Sequence, residues 1–463
     1  MTARRQAPGQ FPLPLRKPPG GERYDIYPSF NAGEGHIHAG FTSLFPLILR
    51  HRTVIVDGYN GIFMDLLSQQ IIDALSVTGT RVRCIFTGGF LKPETEIMEL
   101  TFQYAGSDDP LLGTRYTLPL PDFYRMQELK ALSADPAMDN ISRLNPDVPN
   151  YAWSSELITP QNGLLLESSS LLLEVSFDSL MYTAAESVPG DCHWRFGTDF
   201  PIRFDYPDTF NGGNLSIQCH QRPEYTKKHF GENFTQEECY YILDSKDEAV
   251  VNLGFREDIN PDEFISTLKV SAATNQPLDT DRYIRKLPAA RPDIFLIPCG
   301  TVHGSGKNNM VLGISSTPYI FTFKMYDWLR IDLNGNPHDL NIERARDNLF
   351  FDRKGEEVSS KIKAQPVILH EGSDWQLWHL PTHETHLYDV QRSNFRTSVE
   401  IATGNKCLVM NLVEGKRIAV ETRHGLRQKI SYAETFVIPA AAETAGITNI
   451  SGSEATLVLA FVK

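Results

Sequence analysis

Three segments decide how this chain is read: Asn214-Leu-Ser-Ile-Gln218-Cys-His220, Thr235-Gln-Glu-Glu238-Cys-Tyr-Tyr-Ile-Leu243 and Phe295-Leu-Ile-Pro-Cys-Gly-Thr-Val-His303. Each is an apolar, strand-like run that carries a sparse set of metal-capable side chains. On a strand, residues i and i+2 face the same side, so Gln218 and His220 project together. Glu238 opens the next strand, and His303 follows a Pro-Cys-Gly turn that aims it back toward the others. Two imidazole nitrogens, one amide oxygen and one carboxylate form a mixed N/O donor set. One Zn²⁺ per chain suits it, with room for water or substrate; Fe²⁺, Mn²⁺ or Co²⁺ fit the same donors. Cys219 and Cys239 neighbour these residues in sequence but fall on the opposite strand faces. A site without thiolates argues against a purely structural zinc.

Strand signals continue on both sides of this core. Leu164–Phe177 reads as two short strands around a tight turn, and further strands are expected at 200–204, 215–220, 240–243, 249–253, 294–297 and 310–314. Many short strands separated by turn chemistry point to a sandwich or barrel. Asn260-Pro-Asp-Glu-Phe-Ile-Ser-Thr-Leu-Lys269 reads as a helical insertion, with Asn260 as cap and Pro261 in the first turn. An internal echo links two distant segments. Asp293-Ile-Phe-Leu-Ile-Pro-Cys-Gly-Thr-Val-His303 aligns with Glu434-Thr-Phe-Val-Ile-Pro-Ala-Ala-Ala-Glu-Thr444. The acid, the Phe, the apolar pair and the Pro match in place, and His303 becomes Thr444. The echo predicts two tandem β-barrels of one type, the first equipped for metal and the second, from about residue 365, degenerate.

The 463 residues suffice for two or three domains. Residues 1–22, rich in Pro, Gly and Arg, read as a disordered lead-in. Residues 23–125 read as a small α/β domain: Arg52–Asp57 as a buried strand, Ile62–Leu75 as a helix and Arg81–Phe86 as a second strand. The turn Asp57-Gly-Tyr-Asn-Gly61 lacks the full fingerprint of a nucleotide site, and Gly304-Ser-Gly-Lys307 is not a phosphate loop. The pair His36 and His38 has no completing ligands nearby and reads as packing or capping. Residues 126–150 read as a linker, 151–364 as the metal-binding barrel and 365–463 as the second barrel.

Lys plus Arg total 44 against 57 Asp plus Glu, a formal charge of -13. That balance argues against a nucleic-acid-binding surface as the main function. No secretory signal and no apolar run of membrane-spanning length is visible. The six scattered cysteines, without a CxxC, read as reduced, buried residues of a cytoplasmic protein. Composition leaves the oligomeric state open.

Residues 200–330 resemble the type I mannose-6-phosphate isomerases, a family with the cupin fold. The family's Leu-Ser-Val-Gln-Val-His is Leu215-Ser-Ile-Gln218-Cys-His220 here. Its Thr-Glu-Cys-Trp-Tyr is Glu237-Glu238-Cys-Tyr-Tyr241, and its Val-Pro-Ala-Gly-Thr-Ile-His is Ile297-Pro-Cys-Gly-Thr-Val-His303. Its Tyr-Arg-Val-Tyr-Asp-Tyr-Asp-Arg resembles Phe323-Lys-Met-Tyr-Asp-Trp-Leu-Arg330. The 17 residues between His220 and Glu238 favour this branch over short-motif cupins. The resemblance implies a mainly β fold of tandem cupin (jelly-roll) barrels with a helical insertion, preceded by an appended α/β domain. It implies a zinc-dependent aldose-ketose isomerase that interconverts mannose 6-phosphate and fructose 6-phosphate, a small-molecule substrate with no nucleic-acid or membrane partner.

By the same resemblance, Arg330 and Lys324 take catalytic roles and Arg203, Ser216 and Glu224 contact substrate. Lys324 stands where many members have Arg, and Arg203 where they have Lys; these are not neutral exchanges. Two departures thin the equipment. Gly313 stands where the family commonly has a Glu, a candidate for proton transfer, and Gln236 where it often has Lys. They support an alternative reading, a metal-containing cupin that binds a sugar or sugar phosphate without turning it over. Gly313→Glu is expected to raise the rate, unless another carboxylate already faces the substrate.

Overall fold

A computed structural model describes residues 29–31, most of 34–56, 64–85 and parts of 92–97. It then describes 164–168, 171–175 and, with short gaps, 181–463. Strand β1 (Ser29–Asn31) pairs in parallel with β2 (Leu164–Ser168), which pairs antiparallel with β3 (Leu171–Val175). The hairpin read at 164–177 is therefore present. Helix α1 spans Phe41–Ile48 and α2 spans Met64–Val77, close to the expected helix. The described residues of the two strands expected beside α2 are not in strands. Val54, Val56 and residues 81–85 lie outside any strand, and Val54, Val56 and Val82 are exposed. Apolar alternation makes a strand only where a partner completes the ladder, and no described residue pairs with these; α2 buries Ile71 and Leu75 instead. Residues 1–28, His36, the turn at 57–61 and the segment 126–150 lie outside the described residues.

From Ile202 onward the chain builds two barrels, each of two facing sheets. The first uses β4 (Ile202–Asp205), β5 (Ile217–Cys219), β6 (Glu237–Ser245), β7 (Val250–Phe255), β8 (Ile284–Pro288), β9 (Ile294–Ile297), β10 (His303–Ser305), β11 (Asn309–Ser316) and β12 (Phe323–Tyr326). The second uses β13 (Val367–Glu371), β14 (Trp375–Leu380), β15 (Tyr388–Phe395), β16 (Ser398–Ala402), β17 (Leu408–Glu414), β18 (Arg417–Thr422), β19 (Arg427–Ser431), β20 (Thr435–Ile438), β21 (Thr444–Asn449) and β22 (Ala455–Val462). Strand orders are β4-β11-β6-β9 and β12-β5-β10-β7-β8 in the first, β13-β14-β15-β22-β17-β20 and β16-β21-β18-β19 in the second. Setting aside β12, β13 and β14, the two barrels have the same order: first-eighth-third-sixth strand in one sheet and second-seventh-fourth-fifth in the other. This is a jelly roll, repeated. The sequence echo falls on corresponding pieces, β9 to β10 and β20 to β21.

The barrels pack through their four-strand cores. Ile202, Phe204, Cys239, Tyr241, Leu312 and Ile314 face outward from the first barrel into one hydrophobic cluster with Tyr388, Val390, Val409, Val458 and Ala460. The Tyr388 hydroxyl donates to the Ile314 carbonyl (2.7 Å) and the Tyr206 hydroxyl to that of Ala433 (2.8 Å). Strand β6 is consequently buried on both faces, which is why its sequence is a nearly continuous apolar run.

Helix α3 is Cys192–Phe196, α4 Pro223–Phe230, α5 Pro261–Thr274, α6 Ile342–Asn348 and α7 Gly355–Ile362. The insertion α5 starts as expected: the Asn260 side chain accepts from the Glu263 N–H (3.1 Å). It buries Phe264 and Leu268 against Cys219, Phe323, Met325 and Ala345, fixing the outer side of β5 and β12. No described helix is long and apolar enough to cross a membrane. Cys84 is exposed, contrary to expectation for a cysteine beside an apolar run, because its segment joins no sheet; the other five cysteines are buried, and all six are free.

Candidate metal centre

Strand registers place the four predicted donors. His303 lies directly opposite Gln218, and Gln218 opposite Lys324, so these three share one face of the five-stranded sheet. On the facing sheet Arg203 lies opposite Ser315, and Ser315 opposite Glu238. His220 follows β5 by one residue, on the Gln218 side. The turn between β9 and β10 ties the two histidine segments together. Gly300 has φ 74° and donates its N–H to the His220 carbonyl (2.8 Å); a Cβ there would come within 2.5 Å of the Phe350 ring. Arg353 braces the same turn, donating to the Pro298 carbonyl (3.0 Å) and Thr301 Oγ1 (2.6 Å).

The result is a tight cluster. His220 Nε2 lies 3.0 Å from Glu238 Oε2, His303 Nε2 lies 3.5 Å from the same oxygen, and the two imidazole rings are 4.7 Å apart. The coordinating atoms of His220, Glu238 and His303 all lie within 4.8 Å of one another, and all three residues are buried. His303 Nδ1 donates to the Thr301 carbonyl (2.9 Å), which leaves Nε2 and its lone pair toward the centre. The Gln218 amide lies beside this cluster: its nitrogen lies 3.3 Å from His303 Nε2, and its oxygen accepts from Ser216 Oγ (2.7 Å). Half a turn of this amide points the oxygen inward and lets Ser216 accept instead, so the residue is built to offer either atom.

Electrostatics agree with a cation site. Burial pushes the Glu238 carboxyl up to about 7, against the pull of His303. Burial, and then His220, holds His303 down to about 4, so its ring is neutral at pH 7. His220, Glu238 and His303 would offer a divalent cation two neutral ring nitrogens and a carboxylate whose ionised form the cation would favour. The donors present therefore fit a bound metal.

The remaining predicted site residues occupy three settings. Lys324 is exposed, on the face it shares with Gln218. Arg203 is buried, and its guanidinium donates to the Ile202 (3.0 Å) and Phe200 carbonyls. Ser216 touches Gln218 and so orients a donor. Glu224 is exposed in the first turn of α4, near enough to Cys299 to help raise that thiol. Arg330 bonds Asp327 Oδ1 (2.8 Å) and the Asn214 carbonyl (2.6 Å), at the entrance to β5, while His338 holds the other Asp327 oxygen (2.6 Å). Sequence reasoning missed Asp205, Thr301 and Arg353. For Asp205 the signal was present: it stands two residues after Arg203 in Ile-Arg-Phe-Asp and shares its face.

Comparison with known proteins bears on this centre. The chain is 30% identical over 165 residues to a probable mannose-6-phosphate isomerase, GmuF, of Bacillus subtilis, covering 35% of this chain and 50% of the relative. It is 30% identical over 151 residues to the mannose-6-phosphate isomerase of Streptococcus mutans, covering 33% and 45%. The chain is thus similar over about a third of its length to mannose-6-phosphate isomerases. The chain spans about half the length of these curated relatives. The mannose 6-phosphate isomerase structure from Bacillus subtilis shares the cupin fold, with a TM-score of 0.50 and 19% identity over 61% of this chain and 80% of that one. A family model described as "Domain of unknown function (DUF8485)" matches residues 40–144, which fits a domain appended to a mannose-6-phosphate isomerase-like body.

Proposed function

We propose that this chain is a metal-dependent aldose-ketose isomerase of sugar phosphates, acting in the cytoplasm, with mannose 6-phosphate and fructose 6-phosphate as its substrate pair and Zn²⁺ as its metal. The observation that carries the reading is the buried convergence of His220, Glu238 and His303 with Gln218 beside them. His220, Glu238, His303 and Gln218 would hold the metal, which would supply Lewis-acid polarisation of a substrate carbonyl. Residues 151–364 form the catalytic unit in this reading and residues 365–463 a barrel that supports it.

The chain's own residues set the rest of the chemistry. His303 is fixed as a neutral ligand by Thr301, and Gln218 is oriented by Ser216. Lys324, exposed on the face it shares with Gln218, supplies positive charge toward an entering anion, and Arg330 at the start of β5 adds to it. The mixed N/O, thiolate-free donor set favours a substrate that binds through hydroxyl and carbonyl oxygens.

The test is a coupled assay of mannose 6-phosphate turnover on metal-quantified protein, as purified, chelated and Zn²⁺-restored. Turnover lost on chelation and regained with Zn²⁺ is the expected result. One bound metal per chain with no turnover of this sugar, or of other aldose and ketose phosphates, would replace the isomerase by a binding role.

A further inference from the structure

Gly313 stands in β11 opposite Asp205 on one side and Tyr240 on the other. Its backbone is ordinary extended strand, so flexibility is not why glycine stands there. Space is the reason: a Cβ on Gly313 would lie 2.0 Å from Asp205 Oδ1 and 3.0 Å from Asp205 Cγ. The Asp205 carboxylate reaches across the ladder and occupies the place where a side chain at 313 would begin.

We infer that Asp205 is the proton-transfer group of this barrel, an assignment that rests on the isomerase reading. Asp205 shares the inward face with Arg203, Ser315 and Glu238, one ladder row from the metal centre. Tyr240, across Gly313 from Asp205, packs its ring against His303 with centroids 6.1 Å apart, and it feels the charges of both Glu238 and Asp205. Position 313 is one strand and one row from Glu238, about 8 Å in the plane of the sheet.

The chemistry balances without a further reactant. The C2–H bond of the aldose breaks and its proton passes to an Asp205 oxygen. The bonding pair becomes the C1=C2 bond of an enediol, and the carbonyl pair moves to O1, which takes a proton from water. Asp205 then returns its proton to C1, and O2 releases a proton to water as the C2 carbonyl forms.

The experiment follows ¹H/²H exchange at C1 and C2 of mannose 6-phosphate and fructose 6-phosphate in D₂O, with metal stoichiometry and KM measured in parallel. Asp205→Asn is expected to lower kcat and exchange on the order of 10²- to 10⁴-fold, with metal content and KM within about twofold. Gly313→Ala keeps the carboxylate but displaces it, and is expected to lower kcat while leaving metal bound. The double variant Asp205→Gly/Gly313→Glu returns a carboxylate from the other side of the ladder and is expected to recover at least tenfold over Asp205→Asn, which a merely structural role of Asp205 does not predict. Active wild type with Asp205→Asn or Gly313→Ala near wild-type rate overturns the Asp205 assignment alone. Wild type inert toward both sugars and toward other aldose and ketose phosphates, with metal bound, overturns the isomerase reading and Asp205 with it.

Discussion

The two barrels share one strand order and differ in what they hold inside. Matching the paired registers puts Ala402 where the first barrel has Gln218, Thr444 where it has His303, Leu408 where it has Glu238 and Gly404 where it has His220. All four donor positions are empty of donors in the second barrel, a wider loss than the single substitution visible in the echo. The Asp205–Gly313 pair is likewise Gln391–Leu459 there. The apolar interior of the second barrel (Leu408, Met410, Leu412, Phe436, Leu457, Leu459) is an ordinary packed core. The first barrel gives up part of such a core to keep imidazole and carboxylate groups dry. The difference shows that fold and site are separable: the same ladder stands with or without the chemistry.

The comparison can be broken most sharply by moving donors. His303→Ala is expected to abolish stoichiometric metal binding and bring turnover to background, whereas Thr444→Ala leaves both unchanged; metal analysis and the coupled assay decide. If Thr444→Ala costs activity, the second barrel is not merely a support.

A second test uses stability. Leu408→Glu buries an unpaired carboxyl and is expected to cost several kcal/mol in urea denaturation. The reverse change, Glu238→Leu, leaves buried His220 Nε2 without its partner 3.0 Å away and is expected to cost metal-free protein about 1–3 kcal/mol, less than Leu408→Glu. Equal destabilisation by both would mean that Glu238 is structural.

The joint between the barrels supplies a pH test. His386 is buried, stacks on Tyr388, and has no hydrogen-bond partner for either ring nitrogen among the described residues; Glu237 Oε2 lies 3.8 Å away. Burial, then His383, Lys463 and Arg353, holds its pKa well below the usual histidine value. The folded state thus keeps this ring neutral, while the unfolded chain protonates it below about pH 6.5. Stability falls as pH drops through that window, by up to about 1.4 kcal/mol per unit. His386→Phe is expected to flatten that slope in urea titrations between pH 8 and 5; an unchanged slope would remove His386 as its source. The smallest effect expected is at the joint's hydrogen bond. Tyr388→Phe should cost about 1 kcal/mol with unchanged turnover.

Much of the site was legible in the sequence because strand alternation is a local rule. Gln218 and His220 share a face by spacing alone, and the Pro-turn-His echo marks strands in both barrels. The helix at 64–77 and the hairpin at 164–175 were legible for the same reason. The strands expected at 52–57 and 81–86 show the rule's limit, since the described residues there (Val54, Val56 and 81–85) found no partner ladder among the described residues. The Gly313 departure read as lost equipment, and the single variant Gly313→Glu now reads as a collision with Asp205.

Local chemistry in the sequence by itself determined the donor residues, the β character and the repeat. Only the tertiary structure decided that β4 lies beside β11, that Asp205 covers Gly313, and that His386 comes to rest beside Glu237. Those pairings join residues roughly a hundred positions apart or more, and a ladder register is set by the whole packed sheet, not by the spacing within any one of its strands.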